Sequence, residues 1–386
     1  MNLQTVPERI RSFLLVRLFF TAFAIGVSCI TSLASNADSL PESATSRVVS
    51  AANSFLSTLS EKQRPAVLYK FDDDKQRARW SNFPTGFVPR GGISLKDMSD
   101  AQRSAAMALV ASALSQRGFE KVQQIMEGDE VLKSQPDNGP GGGRRGGGPR
   151  DGGPPDRRGG GPGFGQGDSM FGKDLYYISI LGTPSEKDPW MLQFGGHHLA
   201  LNITIVGEHG ILTPTLTGAQ PALYTTNGKT IRPLGPENDK AFALLDTLDE
   251  TQRKQAILNY RLADLVLGPG HDGEKIQPEG LKVSAMNEKQ RAMLLDLITE
   301  WSGIVNDSYA AERIAEIKAG LDDTWFAWSG PTTHEEGKNG TAYYRIQGPK
   351  LVIEFAPQPI GGDLTMHVHT MYRDPTNDYG RGVIKK

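Results

Sequence analysis

Four of the seven histidines in this 386-residue chain fall in two short stretches. His197 and His198 sit in WMLQFGGHHLALNITIV at 190–206, and His367 and His369 in LTMHVHTMYRDP at 364–375. Alternate residues of a strand share a face, so His367 and His369 aim two imidazoles the same way. A pair of that kind offers two neutral nitrogen ligands from one rigid element, which suits Zn, Cu, Fe or Mn. A third ligand from His197 or His198 and an oxygen from Glu354 or Asp374 would complete the sphere. Metal-free acid/base catalysis is the second chemistry open to these rings, and hydrogen-bonded sheet histidines with no chemistry are the plain alternative. If 190–206 is a single buried strand, His197 and His198 point to opposite faces, unless Gly195-Gly196 bends the chain just before them.

Directly after the second pair comes Arg373-Asp374-Pro375-Thr376-Asn377-Asp378-Tyr379-Gly380. A guanidinium, two carboxylates and an amide in one turn form a candidate catalytic group of Arg373, Asp374 and Asp378, with Arg373 orienting an anion. The competing reading is an Asp/Asn turn that ends the strand. Asn202, on the same strand as the first histidine pair, is a candidate ligand-binding amide. His209 beside Gly210 reads as a turn residue. Arg77 and Arg79 precede Trp80 and suit either an anion or the ring face, though such arginines more often tie a loop down.

Those residues need a sheet to hold them. Leu175–Gly182, Trp190–Val206, Trp325–Gly330, Ala342–Ile346, Leu351–Phe355 and His367–Tyr372 read as strands, with Gln347-Gly348-Pro349-Lys350 a hairpin turn. Helical spacing marks 43–59, Ala105–Met126, Ala256–Leu267, Ala292–Ile304 and Ser308–Leu321. Four capping-box patterns stand at Ser60–Arg64, Ser99–Arg103, Asp249–Arg253 and Asn287–Arg291, each with a glutamine three residues after the cap. Their unequal spacing contradicts a solenoid, so repeated use of an effective helix start is preferred to an internal repeat. The fold expected is α+β: an antiparallel sheet from central and C-terminal strands, packed by helices.

Composition bounds the rest. With 38% apolar residues the chain can build a core, and a net charge of −2 gives no basic field for nucleic acid. Arg9, Arg11 and Arg17 precede the apolar run Leu18–Val27 and small residues up to Ala37, the pattern of a signal peptide over 1–37. An uncleaved anchor, or lipidation at Cys29, are the alternatives. Cys29 is the sole cysteine, so after cleavage nitrogen and oxygen are the donors left for a metal. A secreted or periplasmic location follows, with no stable membrane span after cleavage. Residues 38–386 then form a single domain, interrupted at 136–167 by a Gly/Arg/Pro-rich insertion with almost nothing to bury. Its arginines suit RNA, but the near absence of aromatic residues favours a solvated linker, and no nucleic-acid partner is expected.

GGHHLALN at 195–202, YYRIQGP at 343–349, HVH at 367–369 and RDPTNDYG at 373–380 together resemble the exported bacterial family catalogued as domain of unknown function 3500. The likeness extends over Trp80–Glu127 and covers nearly all of the expected mature chain outside the insertion. It implies a single exported module in which His197, His198, Asn202, His367, His369, Arg373, Asp374 and Asp378 belong to characteristic motifs. No activity or residue role comes with it. The expectation is an exported metal-dependent enzyme, a hydrolase or an oxidoreductase, acting on a small-molecule or extracellular substrate. Its metal ligands are drawn from His197, His198, His367, His369 and Glu354. A non-catalytic ligand-binding protein is the rival.

Overall fold

The computed structural model describes residues 42–135, 170–359 and 362–384. The signal peptide expected at 1–37 and the insertion expected at 136–167 lie outside the described residues. Helices and strands come in two series of the same order. The first is α1 (Ala44–Thr58), α2 (Arg64–Val67), β1 (Ile93–Ser94), α3 (Asp100–Ala113), α4 (Gln116–Lys133), β2 (Tyr177–Leu181), β3 (Trp190–Gly196), β4 (Leu199–Val206) and β5 (His209–Ala219). The second is α5 (Gly235–Asp246), α6 (Glu250–Ala256), β6 (Leu281–Lys282), α7 (Glu288–Ser302), α8 (Asp307–Ala319), β7 (Trp325–Ser329), β8 (Tyr343–Gly348), β9 (Leu351–Pro357) and β10 (Val368–Arg373).

The strands join in one mostly antiparallel sheet, ordered β2-β3-β4-β5-β10-β9-β8-β7-β6, with β1 and a short parallel segment, Leu68–Tyr69, alongside β2. The expected α+β class therefore holds. One row of directly opposed residues crosses the whole sheet: Ile93, Ile178, Phe194, Leu201, Thr215, Tyr372, Ile353, Ile346, Phe326 and Leu281. From either end the row passes through equivalent strands of the two series in the same order, with Thr215 and Tyr372 paired at its centre. A pseudo-twofold relation between the two series follows.

The capping boxes carry the same relation. Gln63 and Gln102 exchange side-chain hydrogen bonds of 3.2 and 2.9 Å, and Gln102 Nε2 also donates to Thr58 O at 2.9 Å. In the second series Gln252 and Gln290 do the same at 3.1 and 2.9 Å, with Gln290 Nε2 on Thr247 O at 2.8 Å. Where the series meet, Ser115 N donates to Ile304 O and Asn306 N to Ala113 O, each at 3.0 Å. The sequence echoes this once aligned: FLSTLSEKQR at 55–64 with LLDTLDETQR at 244–253, and ISLKDMSDAQR at 93–103 with LKVSAMNEKQR at 281–291. The boxes are thus marks of an internal repeat of two units, not a helix start reused at random.

Two expected helices differ: Ala105–Met126 is split in two, and Ala256–Leu267 does not form, the helix there ending at Ala256. Ala105–Met126 breaks at Leu114, because Leu114 bridges Val305 and Ser115 caps a new helix through Gly118 N. The run after Ala256 turns extended, since Ile257 bridges Trp328 and Leu258 N donates to Trp328 O at 2.8 Å. In both places a tertiary pairing outweighs local propensity.

The two faces of the sheet differ. The central row and its neighbours form an apolar face buried under the helices, where α1 packs on α3 and α5 on α7. The opposite face carries Gln193, Asn202, Arg345, Glu354, His369 and Met371, and is roofed by two long loops. Trp80 of the first loop and Leu265 of the second pack on Ala200, Leu216 and Met371. That roofed face bears the histidines. No helix among the described residues is long and apolar enough to cross a membrane.

Candidate metal centre

The stretch 190–206 is not one strand. It turns at His197-His198, where Gly196 pairs with Leu199 and His198 adopts φ +59°. A non-glycine side chain in the left-handed region carries strain, of about 1–2 kcal/mol, that the surrounding contacts must hold. The bend allowed at Gly195-Gly196 thus falls just beyond it, at His198, a residue type that takes the left-handed region more readily than most. The hairpin frees both imidazoles from the alternation of a strand, so adjacent histidines now lie on the same side. Their ring centroids are 3.6 Å apart.

β10 supplies the other pair. His198 Nε2 lies 2.9 Å from His367 Nε2, which lies 3.1 Å from His369 Nε2. Gly218 on β5 makes room: a Cβ there would meet Val368 O at 2.9 Å and His198 Cδ2 at 3.0 Å. All four rings are buried, 2–4% exposed. Burial, and then the neighbouring imidazoles, hold His198 well below the usual histidine range. Burial also lowers His369, against an opposing pull from Asp264. Neutral rings are the form that binds metal.

Ligand nitrogens about 2.0–2.1 Å from one ion, at octahedral or tetrahedral angles, stand roughly 2.8–3.4 Å apart. The observed separations are on that scale. A neutral ring carries one N–H, so three converging Nε2 atoms cannot all be satisfied by protons shared among themselves, whereas a cation accepts all three lone pairs. His198, His367 and His369 could hold a metal ion, and so could a second group that shares His198, namely Asp129, His197 and His198. Within each group the donor atoms lie within 4.8 Å of one another.

Orienting partners stand behind the rings. Asp129 Oδ1 is 2.6 Å from His197 Nδ1. Asp129 is buried inside α4, and burial raises its carboxyl above the usual range while the His197 ring pulls it back. Asn82 Nδ2 lies 3.1 Å from His369 Nδ1, with Asp264 Oδ1 at 3.8 Å. When His369 binds through Nε2, Nδ1 carries the proton. Asn82 with its amide turned would accept it, while Asp264 at 3.8 Å is beyond hydrogen-bond length and acts through its charge. Sequence reasoning missed Asp129, Asp264 and Asn82. Asp129 sits between Glu127 and Glu130 on a helix, and Asp264 and Asn82 lie in loops without a motif.

The remaining expected site residues lie in other networks. Glu354 accepts from Val266 N, Leu267 N and the Tyr343 hydroxyl at 2.7–2.8 Å, so it pins the second roofing loop. Asn202, at the equivalent position of the first unit, donates to Pro214 O and accepts from Gln193 Nε2, each at 2.8 Å. It borders a pocket of about 20 Å³, room for roughly one water. Arg373 donates to Leu267 O, Gly268 O, Asp272 and Asp378, and its guanidinium lies 5.5 Å from the Trp80 ring centroid. Asp374 caps its turn through Thr376 N and pairs with Arg313 at 2.9 Å. Neither Glu354 nor Asp374 belongs to a histidine group. The carboxylates beside the rings are Asp129 and Asp264.

The chain belongs to the family described as Protein of unknown function (DUF3500), whose model matches residues 41–381. No curated relative and no solved structure matches it.

Proposed function

We propose that this DUF3500 protein is an exported metal-dependent enzyme, a hydrolase or an oxidoreductase, acting on a small-molecule or extracellular substrate. The observation that carries the reading is the meeting of His198, His367 and His369 through Nε2 atoms 2.9 and 3.1 Å apart. Three imidazoles, one from the β3–β4 turn and two from β10 and the residue before it, would leave a coordination position open, as catalytic sites do. A bound ion would supply Lewis acidity to a hydrolase or an exchangeable position to an oxidoreductase. Zn, Cu, Fe and Mn all suit these donors. Asp264 and Asn82 would hold the His369 ring in its binding tautomer. Export rests on the basic, apolar and small-residue order of residues 1–37.

The fold itself does not require histidines at the turn. The equivalent β8–β9 turn of the second unit carries Pro349 and Lys350, and there Lys350 pairs with Glu316 of α8. Metal analysis of the purified chain tests the reading. Stoichiometric metal that is lost in a His367→Ala, His369→Ala double variant supports it. No metal in the parent after reconstitution, or full metal in the variant, overturns it.

The burial of all four rings favours a second reading, a closed centre in a non-catalytic binding protein. Cobalt-loaded protein separates the two. A change in its visible spectrum on adding azide marks an open position, and an unchanged spectrum marks a closed one.

A further inference from the structure

His198 belongs to both donor groups, and its Nε2 is already turned to His367. We propose that the site holds two divalent transition-metal ions sharing the His198 imidazole. Nε2 serves the ion of His367 and His369, and Nδ1 serves a second ion held by Asp129 and His197. The inference rests on the metal reading above and extends it by a second position.

Three observations carry it. Asp129 is 2% exposed; the Gly172 backbone N–H and the Tyr176 hydroxyl stand near its carboxylate, but the hydroxyl donates to His197 O at 2.8 Å and Oδ2 makes no hydrogen bond of normal geometry. A buried carboxylate oxygen with free lone pairs is costly unless something positive meets it. Asp129 Oδ1 and His197 Nδ1 are 2.6 Å apart, a proton-bridged distance shorter than that between two ligands of one ion, so a second ion would displace that proton and part the two atoms by a few tenths of an ångström. The His197 and His198 ring centroids are 3.6 Å apart with a 32° tilt, so both rings lie on the same side of the turn, beside Asp129.

Uptake of the second ion is balanced by protons. The neutral His198 ring keeps one N–H after its Nε2 lone pair is engaged, and that proton leaves to solvent as Nδ1 takes the second ion. Any proton held between Asp129 and His197 leaves with it. Two ions on opposite nitrogens of one imidazole stand about 6 Å apart, wider than the roughly 3.5–4 Å of the common two-metal clamps. Such a pair suits redox or structural coupling through the ring better than joint attack on one phosphoryl group.

The test is titration of the metal-free chain with Cu²⁺, removal of loose metal on a desalting column, and measurement of copper per chain and integrated EPR intensity. Two coppers per chain are expected, falling to one in Asp129→Asn. In the parent, the second copper should lower the EPR intensity per copper, because a shared imidazolate couples the two spins. One copper in both parent and variant leaves the three-histidine centre standing and overturns the second position. Two coppers with undiminished EPR intensity overturn the shared ring. No copper at all overturns the metal reading itself. The EPR arm needs no variant, so it decides the matter even if Asp129→Asn fails to fold.

Discussion

His198 Nε2 lies 2.9 Å from His367 Nε2 although 169 residues separate them. The contact joins the β3–β4 turn of the first unit to the strand that begins at Val368 in the second. The centre is therefore assembled from both halves of the repeat. Neither unit alone contains it.

Metal added to the stripped protein should consequently hold the halves together. At a free metal concentration of about 100 times Kd, a native-only ligand adds about 2.7 kcal/mol of stability. An upward shift of several degrees in Tm is expected for the parent and none for the His367→Ala, His369→Ala variant. Differential scanning calorimetry with and without chelator checks it, and equal shifts in both proteins would count against the trio.

Gly218 is the position where a single methyl group should reach the site. An added Cβ would press on Val368 O at 2.9 Å and on His198 Cδ2 at 3.0 Å, and the backbone carbonyl yields less readily than the ring. Gly218→Ala should weaken metal binding by about tenfold or more, roughly 1.4 kcal/mol, while removing no ligand. Competition against a chelator measures this. Unchanged affinity would mean that the His198 ring does not depend on the space above β5.

Much of this geometry is readable from residue spacing. His367 and His369 share a face because extended chain alternates, and the β8–β9 hairpin announces itself by the turn residues Gly348-Pro349-Lys350. The break at His197-His198 is only half visible: Gly195-Gly196 allows a bend, but apolar residues continue on both sides and no two-residue Asn-Gly or Asp-Gly turn marks the place. Asp129 is hidden because an acid on a helix normally faces water, and only the tertiary meeting with His197 buries it. The repeat is hidden because Gln63 and Gln102 stand 39 residues apart, Gln252 and Gln290 stand 38 apart, and much longer sheet sequence separates the pairs. Its signal lies in pairs of boxes, which a search for one constant period passes over.

Acid should destabilise the metal-free protein through these same rings. Burial holds His198 and His369 below the 6.5 of an unfolded histidine. As pH falls below about 6.5, the unfolded chain takes up protons that the native state refuses, so stability present above that pH is progressively lost. Each such group contributes a slope of up to about 1.4 kcal/mol per pH unit. Urea midpoints of the stripped chain between pH 8 and 5 should fall toward acid, and a His198→Asn, His369→Asn variant should show a shallower fall. Asp129, raised by burial, acts in the opposite sense at lower pH, so the difference between the two proteins is the quantity to compare. Parallel curves would refute the assignment.

The paired glutamines give a test of the repeat that is independent of metal. Gln102 Nε2 reaches Gln63 and Thr58 O, and its Oε1 accepts from Ser99 N at 3.0 Å, so one side chain closes a capping box and ties it to the preceding one. Gln290 does the same with Gln252, Thr247 and Asn287 N at 2.9 Å. Loss of a cap together with a half-buried tie costs about 1–3 kcal/mol. Gln102→Ala and Gln290→Ala should each lower stability by that order, and by similar amounts, because the two environments match bond for bond. Adding Gln63→Ala to the first should cost less than the sum of the single changes, since both substitutions remove the same contact. A double-mutant cycle by urea unfolding measures this coupling. Strict additivity, or a large effect in one unit and none in the other, would show that the boxes do not act as equivalent ties.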